Sequence, residues 1–239
     1  MTHVNQVIFK HDEYPTKEEY PFTLPIFNQT DRLDLDASIV IFVGENGTGK
    51  STLLEALANA ANIHIWQNIG GVRYQVNQYE KELYKYLSLG WSNGKTPGAF
   101  FGSEVFRDFT HILEECAVSD PGQLKYCGGK SLVTQSHGQG IMSYFRSRYK
   151  LKGLYLLDEP ETALSPQSQL EFLGIIKENS LAGHAQFIVA THSPILMACP
   201  GARIFSFDHS PVQEIAYEDS HHYRIYKSFM TDLEKFLYE

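Results

Sequence analysis

A glycine-rich segment, GENGTGKS at residues 44–51, constrains the fold of this chain more than any other feature. It matches the phosphate-binding pattern GxxxxGK[ST] at every fixed position. The apolar run SIVIFV precedes it, and TLLEALANAA follows it. These flanks are typical of a buried strand and a helix, the context that the pattern requires. A glycine-rich turn without a ligand is the alternative, but Lys-Ser in this register after a buried strand favours binding of a nucleoside triphosphate.

The polar groups of this segment each have an expected contact on a phosphate chain. Its glycines allow backbone N–H groups to turn inward around phosphate oxygens, and the following helix adds the positive end of its dipole. We predict that Lys50 reaches the β- and γ-phosphates and that Ser51 offers its hydroxyl to Mg²⁺, an ion that prefers oxygen ligands. Thr52 is placed to reach the α-phosphate. The residues predicted to bind the nucleotide are Gly44, Glu45, Asn46, Gly47, Thr48, Gly49, Lys50, Ser51 and Thr52.

Length and composition favour one large α/β domain. A chain of 239 residues can build one substantial core, so we predict a single domain over residues 1–239, with a helical subdomain inserted at about residues 62–150. The sequence has no signal-peptide core and no apolar run long enough to cross a membrane, which predicts a cytoplasmic protein. Its cysteines lack metal-ligand spacing and are expected to be reduced thiols: Cys116, Cys127 and Cys199.

The segment before the glycines predicts a small antiparallel β layer and a central strand. Four apolar stretches are the predicted strands: VIF at 7–9, FTLPIF at 22–27, RLDLDA at 32–37 and SIVIFV at 38–43. Downstream, we predict one helix over about Gln75 to Ser88, then a turn-rich loop at 90–98. A second helix is predicted from Phe100, with Ser103 as its N-cap.

Two adjacent carboxylates end another apolar strand, in GLYLLDEPE at residues 153–161. Ligand sites lie at the C-terminal ends of parallel strands, so both are expected near the phosphates. We predict that Asp158 holds Mg²⁺ through water and that Glu159 is the base that polarises the attacking water. A strand followed by a proline turn would look similar. The phosphate-binding segment elsewhere in the chain makes that alternative the weaker one.

A third buried strand, AQFIVATHS at residues 185–193, ends on a histidine. A histidine after a strand usually has a structural role, but this end of a parallel sheet is the ligand side. We therefore predict that His192 contacts the γ-phosphate. The surrounding elements are predicted to be a helix from Ser165-Pro166 to about Asn179, a hairpin of 204–208 with 212–217, and a C-terminal amphipathic helix.

The order of these motifs resembles that of the ATP-binding-cassette (ABC) ATPases, which include transporter subunits and the SMC and RecF-like DNA-maintenance proteins. SHGQG at 136–140 resembles the LSGGQ signature, with Gln135 in place of Leu and His137 in place of the first Gly. TALS at 162–165 resembles the D-loop, and ATHSP resembles the H-loop. The resemblance spans about residues 38–195. It implies an ABC-type P-loop NTPase head: an α/β fold with a mostly parallel central sheet, an N-terminal antiparallel β layer and a helical signature subdomain.

The resemblance also implies a site shared between two chains. Ser136, Gly138 and Gln139 would serve a γ-phosphate bound by another copy, so that ATP drives a head-to-tail homodimer. A helix N-terminus is a suitable anion-binding end, although Ser-His-Gly could also be a plain turn. One departure is Ser165, which stands where the D-loop aspartate is common. The other is the Q-loop glutamine, for which the candidates are Glu104, Gln123 and Gln135.

Three functions remain open, and all use ATP and Mg²⁺. The first is a cytosolic ATPase coupled to a protein partner, the second a DNA-maintenance ATPase of the SMC or RecF type, and the third an ABC-transporter subunit. The short spacing between Ser51 and Ser136 excludes the long coiled-coil arms of SMC proteins. DNA binding is not favoured, because the net charge is −8; RSRYK at 146–150 is the candidate patch. A module that binds ATP without hydrolysis is opposed by the presence of both Asp158 and Glu159.

Overall fold

The computed structural model describes residues 2–66, 77–119, 122 and 136–237. Its strands are Val4–Phe9 (β1), Arg32–Asp34 (β2), Ile39–Val43 (β3), Leu87–Trp91 (β4), Gly98–Gly102 (β5), Gly153–Asp158 (β6), Ala185–Ala190 (β7), Arg203–Ser206 (β8) and Gln213–Ile215 (β9). Its helices are Pro25–Gln29 (α1), Lys50–Ala60 (α2), Ser103–Ser119 (α3), His137–Arg148 (α4), Pro166–Leu181 (α5), Pro194–Met197 (α6), His221–Thr231 (α7) and Glu234–Leu237 (α8). Short 3-10 turns lie at His11–Glu13, Leu83–Tyr86, Pro160–Ala163 and Tyr217–Asp219.

The strands form two sheets. The central sheet has the order β5-β6-β7-β3-β8-β9, and all its neighbours are parallel except β8 and β9. The smaller sheet, with the order β2-β1-β4, is antiparallel. Both predicted sheets, the mostly parallel one and the N-terminal antiparallel one, are therefore confirmed. In the central sheet β3, β6 and β7 are neighbours, so the motifs that follow them meet at one edge.

The central sheet is covered on both faces, as its continuous apolar strands require. All five residues of β3 are buried, and their side chains alternate between two cores. Val40 and Phe42 face a core that includes residues of α2. Ile39, Ile41 and Val43 face a core built with α4, α5 and α6.

One buried glutamine joins the two sheets. Gln186 lies on β7 of the central sheet and is fully buried. Its side-chain oxygen accepts hydrogen bonds from the backbone N–H groups of His3 and Val4, at 2.7 and 2.8 Å. Its amide nitrogen donates to the carbonyls of Val4 and Leu35, each at 2.8 Å. A buried amide is stable only when it is paired in this way, so the antiparallel layer is fixed to the nucleotide-binding sheet.

Two secondary-structure predictions were wrong, and a third was confirmed with a later start. FTLPIF at 22–27 contributes to helix α1, because Pro25 occupies the first helical position, where its missing N–H costs nothing. The described part of the helix predicted at 75–88 is a turn, a 3-10 turn and the start of β4, which pairs with β1; the first two residues of that prediction lie outside the described ranges. The helix predicted from Phe100 is present as α3, but it begins only at Ser103, because Phe100 lies in β5 beside β6. In β4 and β5, pairing with a neighbouring strand therefore outweighed the helical pattern of the sequence.

Other predictions were confirmed. Ser165 caps α5 by accepting the N–H of Ser168 at 3.2 Å, and β8 and β9 form the predicted hairpin. The C-terminal helix is present but breaks at Asp232 into α7 and α8. Residues 62–150, predicted as an inserted helical subdomain, include two strands, β4 and β5, besides their helices; the domain boundaries stay a prediction. Within the described ranges, no helix is long and apolar enough to cross a membrane.

Candidate nucleotide-binding site

The phosphate loop, defined here as residues 44–52, joins β3 to α2. Gly49 has φ of 98°, a left-handed conformation that side chains disfavour. A Cβ atom on Gly49 would lie 2.9 Å from a methyl group of Ile26, so α1 packs directly beneath the loop. By contrast, Glu45, Asn46 and Gly47 are exposed at the tip of the loop. The loop is therefore supported from below and open above, where a phosphate chain would enter.

Lys50 lies across the mouth of the loop. Its ammonium group donates to the carbonyls of Gly44 and Glu45, at 2.7 and 2.8 Å, and only 4% of the residue is exposed. Burial lowers the Lys50 pKa, while carboxylates nearby, chiefly Glu159 and Asp208, oppose that shift. The carboxylates therefore stabilise the positive charge that a triphosphate would meet.

Ser51 and Asp158 lie face to face at the start of α2 and the end of β6. The Ser51 hydroxyl donates to the Asp158 carboxylate at 2.9 Å. Burial raises the pKa of Asp158 to about 7, so its charge is poorly compensated there. A buried carboxylate beside a hydroxyl suits a divalent cation that keeps most of its waters and phosphate ligands. Among the described residues, no group of three or more His, Cys, Asp or Glu is arranged to hold a metal ion.

Glu159 follows Asp158 in a strained conformation, with φ of 44°. Its N–H donates to the carbonyl of Ala190 at 2.9 Å, because β6 and β7 are paired as far as Asp158 and Ala190. Its carboxylate lies 3.4 Å from Nε2 of His192. Since β7 ends two residues before His192, the sheet register brings the predicted base and the predicted phosphate contact together.

His192 is held by two contacts that the sequence did not indicate. Its backbone N–H donates to the carboxylate of Glu161 at 2.6 Å. Its Nδ1 lies 2.9 Å from Nε2 of His222, on α7. Burial and then the charge of Lys50 lower the pKa of His192, and Glu159 opposes them. The imidazole is therefore neutral near pH 7 and can either donate or accept a hydrogen bond at each ring nitrogen.

The signature segment forms the N-terminus of α4. Ser136 caps that helix in a capping box: its hydroxyl accepts the N–H of Gln139 at 3.4 Å, and the Gln139 side chain accepts the N–H of Ser136 at 3.2 Å. A Cβ atom on Gly138 would lie 3.0 Å from the carbonyl of Ala163, so α4 packs closely against the turn after Glu159. Both polar side chains are exposed. Their role at a second copy's phosphate stays a prediction.

Two residues near the phosphate loop were not predicted from the sequence. Asp208 accepts the N–H of Glu45 at 2.8 Å, and the hydroxyl of Tyr20 lies 2.5 Å from that of Thr52. Asp208 could have been found, because it ends the apolar stretch IFSFD just as Asp158 ends its own strand. Tyr20 carried no comparable signal.

Some predicted candidates cannot be placed. Gln123, Gln135 and Cys127 lie outside the described ranges, and the side chains of Glu104 and His137 are not described. The Q-loop residue therefore stays unassigned. Cys116 and Cys199 are free thiols, as predicted.

Two family models match parts of the chain. One, described as "AAA domain, putative AbiEii toxin, Type IV TA system", matches residues 139–198. The other, described as "AAA domain", matches residues 25–61. The first region contains Asp158, Glu159 and His192, and the second contains the phosphate loop. The two matches therefore contain both strand ends and the loop that form the site.

Three known proteins are similar to this chain in sequence or in structure. The "Thiamine import ATP-binding protein ThiQ" of Cereibacter sphaeroides is 26% identical over 171 residues, which cover 65% of this chain and 71% of ThiQ. A structure described as "An inward-facing conformation of a putative metal-chelate type ABC transporter" matches with a TM-score of 0.52 at 16% identity, covering 91% of this chain and 85% of that one. The SMC head domain from Thermotoga maritima matches with a TM-score of 0.47 at 14% identity, covering 90% and 98%.

Proposed function

We propose that this chain is an ABC-type P-loop ATPase that hydrolyses ATP with Mg²⁺ in the cytoplasm. It would do so at sites shared by two copies, and it would act on a protein partner. One observation carries the hydrolysis proposal. Lys50, Asp158, Glu159 and His192 converge at one edge of the sheet, with Glu159 3.4 Å from His192 and Asp158 2.9 Å from Ser51. A module that only bound nucleotide would not need the second carboxylate.

The charge of each residue in the site indicates its role in ATP hydrolysis. The phosphate loop and Lys50 would hold the β- and γ-phosphates and offset their negative charge. Ser51 and Asp158 would hold Mg²⁺, which supplies further positive charge to the phosphate oxygens. The charge of Glu159 would polarise the attacking water, a role that contributes about 10²- to 10⁴-fold in other enzymes. His192, which lies beside Glu159, would contact the γ-phosphate.

The Glu159→Gln protein tests this assignment. It should bind ATP as tightly as the wild type, because the loop and Lys50 remain, but its turnover should fall at least about 100-fold. Binding is measured by calorimetry and turnover by phosphate release. Glu178→Gln, on the exposed face of α5, is the matched control and should hydrolyse ATP normally. Undiminished turnover in Glu159→Gln would exclude Glu159 as the base.

The dimer proposal is supported by the exposed signature side chains at the N-terminus of α4. Ser136 and Gln139 cap their own helix here and present that end outward, where a second copy's γ-phosphate could be bound. Glu159→Gln should sediment as a dimer with ATP and shift toward monomer with ADP. Ser136→Arg should remain a monomer that still binds ATP. Normal hydrolysis by a monomeric Ser136→Arg protein would contradict the shared site, and a dimer indifferent to nucleotide would place the contact elsewhere.

The partner proposal is supported by an exposed apolar group on the C-terminal helices. Six large apolar side chains within 13 residues of sequence are between 44% and 73% exposed, and exposed apolar groups of this kind can mark an interaction surface: Ile225, Tyr226, Met230, Leu233, Phe236 and Leu237. The test is capture of bound molecules on the Glu159→Gln protein with ATP, compared with ADP. A soluble protein retained only with ATP supports the proposal.

A second function, the ATP-binding subunit of a transporter, is favoured by the relative named for thiamine import. Retention of a membrane component in the same experiment would establish that function instead. The DNA-maintenance alternative predicts duplex binding that is tight at physiological salt and steeply salt-dependent, although the net charge of −8 opposes it.

A further inference from the structure

His222 joins the C-terminal helix to the catalytic edge of the sheet. It lies on α7, whose first turn is capped by Ser220 accepting the N–H of Tyr223 at 3.3 Å. The hydroxyl of Tyr217, just before α7, donates to the carbonyl of Pro194 at 3.0 Å, close in sequence to His192. These contacts fix the helix where Nε2 of His222 meets Nδ1 of His192 at 2.9 Å.

Both imidazoles are neutral at pH 7, so the bond between them contains one proton. Burial is the main cause that lowers the pKa of each ring. The charge of Lys50 lowers both pKa values further, and His192 also lowers the pKa of His222. The charged groups around His222 are Glu45, Asp208 and Lys50, besides His192 itself. A distance of 2.9 Å between two ring nitrogens requires one donor and one acceptor. Two arrangements are therefore possible.

In the first arrangement His192 donates from Nδ1 to His222. Its Nε2 is then a bare acceptor, and it faces the carboxylate of Glu159 at 3.4 Å, which is repulsive. His222 must also carry its proton on Nδ1, which is buried and has no hydrogen-bond partner among the described residues. A buried N–H without an acceptor is the rarer and more costly fault.

In the second arrangement His222 donates from Nε2 to Nδ1 of His192. The proton of His192 is then on Nε2, 3.4 Å from the carboxylate of Glu159, where the electrostatic contact is attractive. Neither Nε2 of His192 nor Nδ1 of His222 has a hydrogen-bond partner among the described residues, but the Nε2 proton lies beside a carboxylate and the bare Nδ1 of His222 carries no proton that needs an acceptor. The second arrangement is therefore favoured at both ends of the pair.

We infer that His222 is a positioning residue, which donates to Nδ1 of His192 and thereby fixes the tautomer of His192 that carries its proton on Nε2. That proton faces Glu159 and the position assigned to the γ-phosphate, so its use in turnover rests on the proposed ATP hydrolysis. His222 lies outside the residues 38–195 that hold the recognisable motifs. Turnover therefore depends on how α7 is seated.

The tautomer is measured by ¹⁵N NMR of the imidazoles in nucleotide-free protein, assigned with the His192→Ala and His222→Leu variants. In the wild type, His192 should show a protonated Nε2 and an unprotonated Nδ1. In His222→Leu, which removes the donor but keeps side-chain bulk, His192 should show a mixture of tautomers. In His222→Gln, whose amide N–H₂ can donate in the same place, the wild-type pattern should return.

Turnover provides the second measurement. The kcat for ATP should fall about tenfold in His222→Leu, with KM nearly unchanged, and His222→Gln should recover to within about threefold of the wild type. Lys227→Ala, at an exposed position on the same helix, is the matched control and should behave as the wild type in both measurements. Thermal unfolding of each variant verifies that it is folded.

Each outcome decides the inference. A protonated Nδ1 on His192 in the wild type, or an unchanged tautomer in His222→Leu, overturns it. Equal losses of kcat in His222→Leu and His222→Gln, with no change of tautomer, would assign His222 a merely structural role. A wild-type protein without ATPase activity would refute the proposed function, while the NMR measurement would still decide the tautomer.

Discussion

The phosphate loop and the strand-end group, which comprises Asp158, Glu159, His192 and His222, are built in opposite ways. In the loop, Lys50 reaches carbonyls only five and six residues away. In the strand-end group, His192 and His222 lie 30 residues apart, and Ser51 meets Asp158 across 107 residues. One strand and one helix define the loop, and α1 and Asp208 support it from outside. The strand-end group exists only when three strands and a C-terminal helix are in register.

This difference predicts different failures. A change in the loop should affect nucleotide binding directly, because the same few residues make both the structure and the site. A change in the strand-end group should spare binding and affect turnover or pH dependence, because its members contact each other more than they contact the loop. The four predictions below test this division, in order of decreasing effect.

Lys50→Ala should weaken ATP binding at least about a thousandfold. The substitution removes a buried ammonium that lies across the loop and leaves the carbonyls of Gly44 and Glu45 without a donor. Affinity is measured by calorimetry with Mg²⁺ and ATP. Lys177→Ala, at an exposed position on α5, is the control and should bind normally. An undiminished affinity in Lys50→Ala would show that Lys50 is not needed for ATP binding and that the loop and the strand-end group do not differ in this respect.

Asp158 should make the metal-free protein less stable as pH rises. Its pKa is about 7 in the folded state and about 4 unfolded, so between those values the folded state holds a proton that the unfolded state has lost. Stability therefore falls with rising pH across that window, by at most about 4 kcal/mol.

The Asp158→Asn protein isolates this effect. In EDTA it should be more stable than the wild type at pH 8, and the difference should shrink as pH falls and level off below about pH 3, where both states of the wild type are protonated. Denaturant unfolding at several pH values measures the difference. A difference that does not change with pH would show that the Asp158 carboxylate is not penalised by burial.

Gly49→Ala should destabilise the protein by about 3 kcal/mol. The substitution forces an alanine to φ of 98° and places its Cβ within 3.1 Å of side chains of α1. Gly47→Ala is the matched comparison, since its φ is 80° but nothing lies within 4 Å of its Cβ; it should cost only about 1 kcal/mol. Equal costs would mean that contact with α1 does not support the loop.

Asp208→Ala should weaken ATP binding about fivefold, because the N–H of Glu45 loses the acceptor that holds the start of the loop. Asp208→Asn keeps an oxygen in the same place and should stay close to the wild type. The comparison uses the same calorimetric assay. If both variants bind ATP equally and more tightly than the wild type, repulsion between Asp208 and phosphate is the larger effect.

Much of this site could be read from local patterns. The phosphate loop, Asp158, Glu159 and His192 were all predicted, because each follows an apolar strand and parallel strands end at one edge. Asp208 obeys the same rule and was overlooked only because its strand belongs to a hairpin. Tyr20 and His222 could not be predicted, since neither follows a strand and each reaches the site from a distant part of the chain.

The fold divides in the same manner. Strands β3, β6 and β7 are continuous apolar runs, and such runs predict burial without any knowledge of the fold. The cap at Ser165 depends only on a residue three positions away. The segments 22–27 and 87–91 have sequence patterns that fit either a helix or a strand, so their structure depends on the elements that pack against them. Pro25 is the first residue of helix α1, which supports the phosphate loop. Residues 87–91 form a strand because they pair with the edge of β1.

The sequence by itself therefore determined the phosphate loop and the two carboxylates at the strand end, because their chemistry depends on neighbours within a few residues. The tertiary structure alone decided that Gln186 joins the two sheets and that His222 meets His192. Those contacts depend on the register of strands and the seating of a helix, which arise from burial summed over the whole core. No local pattern encodes a sum of that kind.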